Sequence, residues 1–175
     1  MGLILKQIFA FIKMLNSETG QNSLAAGIAA GFILGMSPML SLQGILVLLC
    51  IFFFRIQMGA AFLAAFFFAF IGWILDPVFH SFGSAILETE SLQGLFTAMY
   101  NMPLVPLTRF NNSIVMGAGV VAILLSPVIY FLSLFMIVKY RTTVLAWIKE
   151  TKLWKAIKAT SLYNWYYSYD KLYGN

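Results

Sequence analysis

The sequence predicts an all-α integral membrane protein in which two helical hairpins, each broken at a Ser-Pro pair, flank about two transmembrane helices. Three observations carry that reading. Apolar residues make up 61% of the 175-residue chain and charged residues only 10%. Mean hydropathy is +0.88, far outside the range of a soluble globular domain. Charge is also segregated, since no Asp, Glu, Lys or Arg lies between Asn22 and Arg55. A chain of this length forms one membrane domain. Its single cysteine, Cys50, lies in an apolar run and offers neither a disulfide framework nor a metal cluster.

The first element is Gly2 to Leu15, with Lys6 and Lys13 set among Leu, Ile and Phe. It is too short and too interrupted by charge for a signal peptide, and Lys6 stands where myristoylation requires Ser or Thr. An interfacial helix followed by a polar loop is expected, so residues 1–21 form an entry segment. Residues 22–55 then break into two 13-residue apolar halves, Leu24 to Met36 and Leu42 to Phe54. Each half is about 20 Å of helix, short of the roughly 30 Å hydrocarbon core. Ser37-Pro38 between them suggests a re-entrant hairpin that enters the membrane and turns back. Gly27, Gly31 and Gly35 fall on one face of the first half, where small residues admit the close approach of another helix backbone. They are read as a packing seam, or as a contact for a partner helix.

Ile56 to Leu75 is an uncharged run long enough to span, and Asp76-Pro77 comes directly after it. An acceptor residue before Pro is a helix-start signal, because the side chain takes free backbone N–H groups and Pro has none to orphan. Ser37-Pro38, Asp76-Pro77 and Ser126-Pro127 share it, so three helices are expected to restart at these pairs. Gln93 to Leu107 is ragged, with Asn101, Pro103 and Pro106, and is expected to cross irregularly or to lie along the interface. Asn112-Ser113, Gly117, Ser126-Pro127 and Arg141 then repeat the order of Asn22-Ser23, Gly27, Ser37-Pro38 and Arg55. Segments 22–55 and 112–141 therefore read as an internal duplication within a membrane domain spanning 22–141.

Residues 142–175 close the chain with Lys149, Lys152, Lys155 and Lys158 interleaved with apolar residues, then Trp165 among tyrosines. A basic amphipathic and aromatic region of this kind lies on the membrane surface, drawn by anionic lipid headgroups. If both Ser-Pro segments are hairpins, all eleven Lys and Arg residues fall on one side, opposite Asp76, Glu88 and Glu90. The positive-inside rule makes that side cytoplasmic and puts both termini there. A pI of 9.4 does not indicate nucleic acid, because the cations flank membrane segments.

The order Asn22-Ser23, Gly27, Gly31, Gly35, Pro38, Gln43, Arg55 and then a helix ending in a residue-Pro pair resembles the bacterial membrane proteins catalogued as domain of unknown function 2062. The likeness covers roughly Asn16 to Arg141, and Asp76-Pro77 stands where members usually carry Asn-Pro. The resemblance implies a multi-pass protein of the bacterial inner membrane. Relatives joined to glycosyltransferase domains imply work near lipid-linked sugars or polyprenyl phosphates.

These features support two function classes. A half-helix starting inside the membrane directs free N–H groups and its dipole's positive end at an anion. Two facing starts at Ser37-Pro38 and Ser126-Pro127, with Ser41, Gln43, Asn111 and Asn112 nearby and Arg55 and Arg109 at the mouth, would bind or translocate an anionic lipid-linked or small anionic substrate. Asp76 and His80 would lie on that path. The alternative is a non-transporting scaffold that docks another protein. No cofactor or metal is expected, and no metal-binding or nucleophile-elbow motif is present. An enzyme is not expected. The enzymatic alternative uses Asp76 and His80, one helical turn apart, with Ser81 or Ser84.

Overall fold

The computed structural model describes residues 7, 10, 14, 15, 17, 19–38, 40–54 and 56–144. Lys6, Lys13, Arg55 and the basic and aromatic region beyond residue 144 lie outside the described residues. The chain divides into two compact units, Met1–Ile137 and Val138–Asn175. In the second, the helical path widens into a π-turn at Tyr140–Val144, where the Thr142 hydroxyl donates to the Val138 carbonyl at 2.9 Å.

The first unit is built from α1 (Gln21–Met36), α2 (Leu42–Phe53), α3 (Met58–Leu87), the short α4 (Gln93–Tyr100) and α5 (Ser113–Lys139), with 3-10 turns at Glu90–Leu92 and Val105–Thr108. No strand occurs among the described residues. α3 and α5 are long and apolar enough to cross a membrane. Their surfaces agree with that, because Trp73 and Ile74 on α3 and Leu124, Phe131 and Phe135 on α5 are exposed. So much outward apolar surface would leave a soluble monomer prone to aggregate.

α1 is the central helix. It is apolar all round, as a helix covered on every side must be, and most of its residues are buried. Its glycines face α3. A Cβ on Gly27 would lie 2.6 Å from the Ala60 Cβ, one on Gly35 would lie 2.7 Å from the Ala65 carbonyl, and one on Gly31 would collide with the Ala61 carbonyl. The partners advance together along both helices, so α1 and α3 run parallel with their backbones in contact. Phe32 and Phe68 extend the seam edge to face at 5.0 Å. α3 fills the stripe of Gly27, Gly31 and Gly35. Leu24, Ala25 and Ile28 pack with Ile137, and Phe32, Ile33 and Met36 with Ala118 and Ala122, so α5 runs antiparallel to α1. Ala30 and Leu34 pack with Ile51, which places α2 on the remaining side.

The three residue-Pro pairs behave differently. α1 ends at Met36, Ser37 is extended, and α2 begins at Leu42, its cap being Ser41 rather than Ser37. Asp76-Pro77 lies inside the unbroken α3, and Ser126-Pro127 inside the unbroken α5, so neither restarts a helix. Proline costs one backbone bond, but ending a helix in hydrocarbon exposes several polar groups, each costing several kcal/mol. The expected second hairpin is therefore a rod. The duplication fails at its start as well. Asn112 caps α5, its Oδ1 accepting from the Val115 N–H, whereas α1 starts behind Gly20 with Asn22 already inside the helix.

The segment Gln93 to Leu107 does not cross. α4 has 8 residues, about 12 Å of helix, against roughly 30 Å of hydrocarbon. Phe96 on it stacks at a tilt against Phe110. Arg109 lies four residues before the start of α5, whose first turns cross α3 at Gly83. It therefore sits at the same end as Glu88 and Glu90, and the expectation that all cations gather on one side is corrected at this residue.

Candidate functional site

Three local arrangements hold most of the polar residues singled out in the sequence. The first is the turn between α1 and α2. Ser41 N–H donates to the Pro38 carbonyl at 2.9 Å, closing the turn. The buried Ser41 hydroxyl then accepts from Gly44 N–H at 3.1 Å, taking one of the orphan donors at the start of α2. Gln43, on the next turn, donates from Nε2 to the Val115 carbonyl of α5 at 2.9 Å. A Cβ on Gly119 would lie 2.7 Å from this amide, so the glycine makes room for it. Ser37 is 6% exposed and its hydroxyl has no hydrogen-bond partner among the described residues. Pro38 is exposed.

The second arrangement is an open apolar groove of about 320 Å³ between α1, α2 and α5. Ala26, Ala29 and Ala30 of α1 form its floor, Cys50 of α2 lies along one wall, and Ser126, Pro127 and Tyr130 of α5 along the other. The proline is accommodated locally. Pro127 has no N–H to give the Ile123 carbonyl, and the Ser126 hydroxyl donates to that carbonyl at 2.8 Å instead. Ser126 thus faces the middle of α1, several residues before Ser37, and the two Ser-Pro pairs do not converge. The expected pair of facing helix starts is absent because α5 passes through its proline unbroken.

The third lies where α3 crosses α5. A Cβ on Gly83 would collide with the Ser113 carbonyl and one on Gly117 with the Phe79 carbonyl, so only glycines allow the two backbones to meet. The crossing brings His80 Nδ1 to 2.6 Å from the Ser113 hydroxyl. The serine that meets His80 is therefore neither Ser81, whose hydroxyl donates to the Pro77 carbonyl of its own helix, nor Ser84. Sequence spacing gives no sign of this contact across 33 residues, and only the two glycines, each preceded by a bulky residue, mark a crossing. Asp76 is half-buried one turn before His80, while Asn111 and Arg109 are exposed in the approach to α5. Arg109 has a left-handed backbone, φ 55°, where the 3-10 turn ends. No group of three or more His, Cys, Asp or Glu that could hold a metal ion occurs among the described residues.

Residues 8–145 match the family described as uncharacterized protein conserved in bacteria, DUF2062. An uncharacterized protein of Treponema pallidum (strain Nichols) is 29% identical over 139 residues, covering 79% of this chain and 86% of the relative. No solved structure matches.

Proposed function

The chain belongs to the DUF2062 family of uncharacterized proteins conserved in bacteria, and from that premise we propose that it is a bacterial inner-membrane protein that binds the hydrocarbon chain of a membrane amphiphile. The observation that carries this is the groove over Ala26, Ala29 and Ala30. Each of these floor positions offers a single methyl group, and the walls are apolar. Within a bilayer the hydrophobic effect gives no preference between groove and lipid, because both are apolar. The preference comes from close packing, which small side chains permit. On this reading α1 and α2 form a re-entrant hairpin supported by α3 and α5, and the ends of the groove decide which headgroup is accepted. Binding rather than translocation is supported, since the second half-helix needed for a buried anion site does not form.

The test is retention of lipid by the full chain, purified in mild detergent and measured by native mass spectrometry. Ala26→Phe fills the groove without touching the glycine seam. It should lower co-purified lipid at least tenfold while leaving the thermal unfolding temperature within a few degrees. Unchanged lipid in a folded Ala26→Phe protein, or no retained lipid in the original chain, would overturn the reading.

A further inference from the structure

Two residues with the chemistry of a nucleophile and a general base are fixed in contact at the α3–α5 crossing. Gly83 and Gly117 bring the backbones together there, and His80 Nδ1 stands 2.6 Å from Ser113 Oγ, within the reach that a Ser-His pair requires. Ser113 opens α5. Asn112 satisfies the Val115 N–H through Oδ1 and the Met116 N–H through its carbonyl. The Ser113 and Ile114 N–H groups remain as the outward donors of the first turn. An N–H on the residue after a nucleophilic serine is the donor that stabilises the oxyanion in strand-to-helix serine hydrolase sites. His80 is exposed.

We propose that Ser113 is a nucleophile activated by His80, and that its substrate is an acyl ester. Ser113 Oγ attacks the ester carbonyl carbon while its proton passes to His80 Nδ1. The Ile114 N–H, with the Ser113 N–H, faces the oxyanion. The carbon–oxygen bond to the alcohol breaks, and the alcohol leaves with the proton returned by His80. Water then hydrolyses the acyl-Ser113 by the same route, His80 accepting its proton, and the carboxylic acid is released. The site does not rest on the groove, which lies about four helical turns further along α5.

The test uses the full chain in phosphatidylcholine nanodiscs with a fluorophosphonate probe, in which Oγ–P bond formation expels fluoride. Peptide mass spectrometry should find the adduct on Ser113, and none on Ser113→Ala. His80→Gln keeps a polar side chain at the crossing but no base of the same strength, and should slow labelling at least a hundredfold, the range expected of general-base assistance. Ser81→Ala should label as the original chain does. The original chain should turn over p-nitrophenyl acetate, and Ser113→Ala should not. Absence of a Ser113 adduct in protein that unfolds cooperatively, or equal labelling of His80→Gln, would overturn the proposal. Equal turnover of p-nitrophenyl acetate by Ser113→Ala would overturn it as well.

Discussion

Ser37-Pro38 and Ser126-Pro127 are the same dipeptide in similarly apolar surroundings, yet one ends a helix and the other lies within one. The difference lies in the residues downstream of the proline. After Pro38, Ser41 is three residues away and caps a new helix, and Gln43 ties that helix to Val115. After Pro127 the next residue of a capping type is Ser133, so a chain that stopped at the proline would find no cap within a turn. Ser126 instead turns its hydroxyl back to the Ile123 carbonyl. A Ser-Pro pair therefore permits a break, and a polar residue about one turn downstream decides whether the break occurs. Asp76-Pro77 lies outside this rule, because Ser81 follows Pro77 by four residues and yet α3 continues, with the Ser81 hydroxyl donating to the Pro77 carbonyl of its own helix.

The largest effect is expected where the broken arm is packed. Gly31→Val would drive a side chain into the Ala61 carbonyl and separate α1 from α3. It should cost about 3 kcal/mol or more and lower the thermal unfolding temperature in detergent more than any serine substitution here. A smaller loss would show that α1 is not held by that crossing.

The three serines then sharpen the comparison in descending order. Ser41→Ala removes a buried cap and should cost about 1–2 kcal/mol. Ser126→Ala leaves the Ile123 carbonyl without the donor that replaced the proline's missing N–H, and should cost about 1 kcal/mol. Ser37→Ala removes a buried hydroxyl with no partner among the described residues, and should be neutral or slightly stabilising. Urea unfolding of the three variants in matched micelles gives the order. Ser37→Ala costing more than Ser126→Ala would reverse the account of the two pairs.

This contrast also explains how much of the structure was legible in the sequence. The all-helical class, the short apolar helices on either side of Ser37-Pro38 and the glycine face on α1 follow from composition and spacing, which are local. Ser41 as the cap was within reach, since a serine three residues before Gly44 is a local signal, but the preceding Ser-Pro pair masked it. The continuity of α3 and α5 was not legible from residue-Pro pairs alone. It depends on the cost of ending a helix among apolar neighbours, which outweighs one lost bond. The His80–Ser113 contact and the groove under Ser126 were not legible because each joins elements far apart in sequence. The apparent duplication shows the same limit: matching residues at matching intervals took different structures once their downstream neighbours differed.

The central claim is that the chain reverses at Ser37-Pro38 and runs straight through Ser126-Pro127. Double electron–electron resonance on the full chain tests it, using nitroxide pairs at Asn22 and Phe54 and at Asn111 and Met136 in a Cys50→Ser background. Helix packing predicts about 10–20 Å for the first pair, and helical rise predicts about 38 Å for the second. A first pair near 48 Å, roughly the length of an unbroken helix, or a second pair under about 20 Å, would contradict the account.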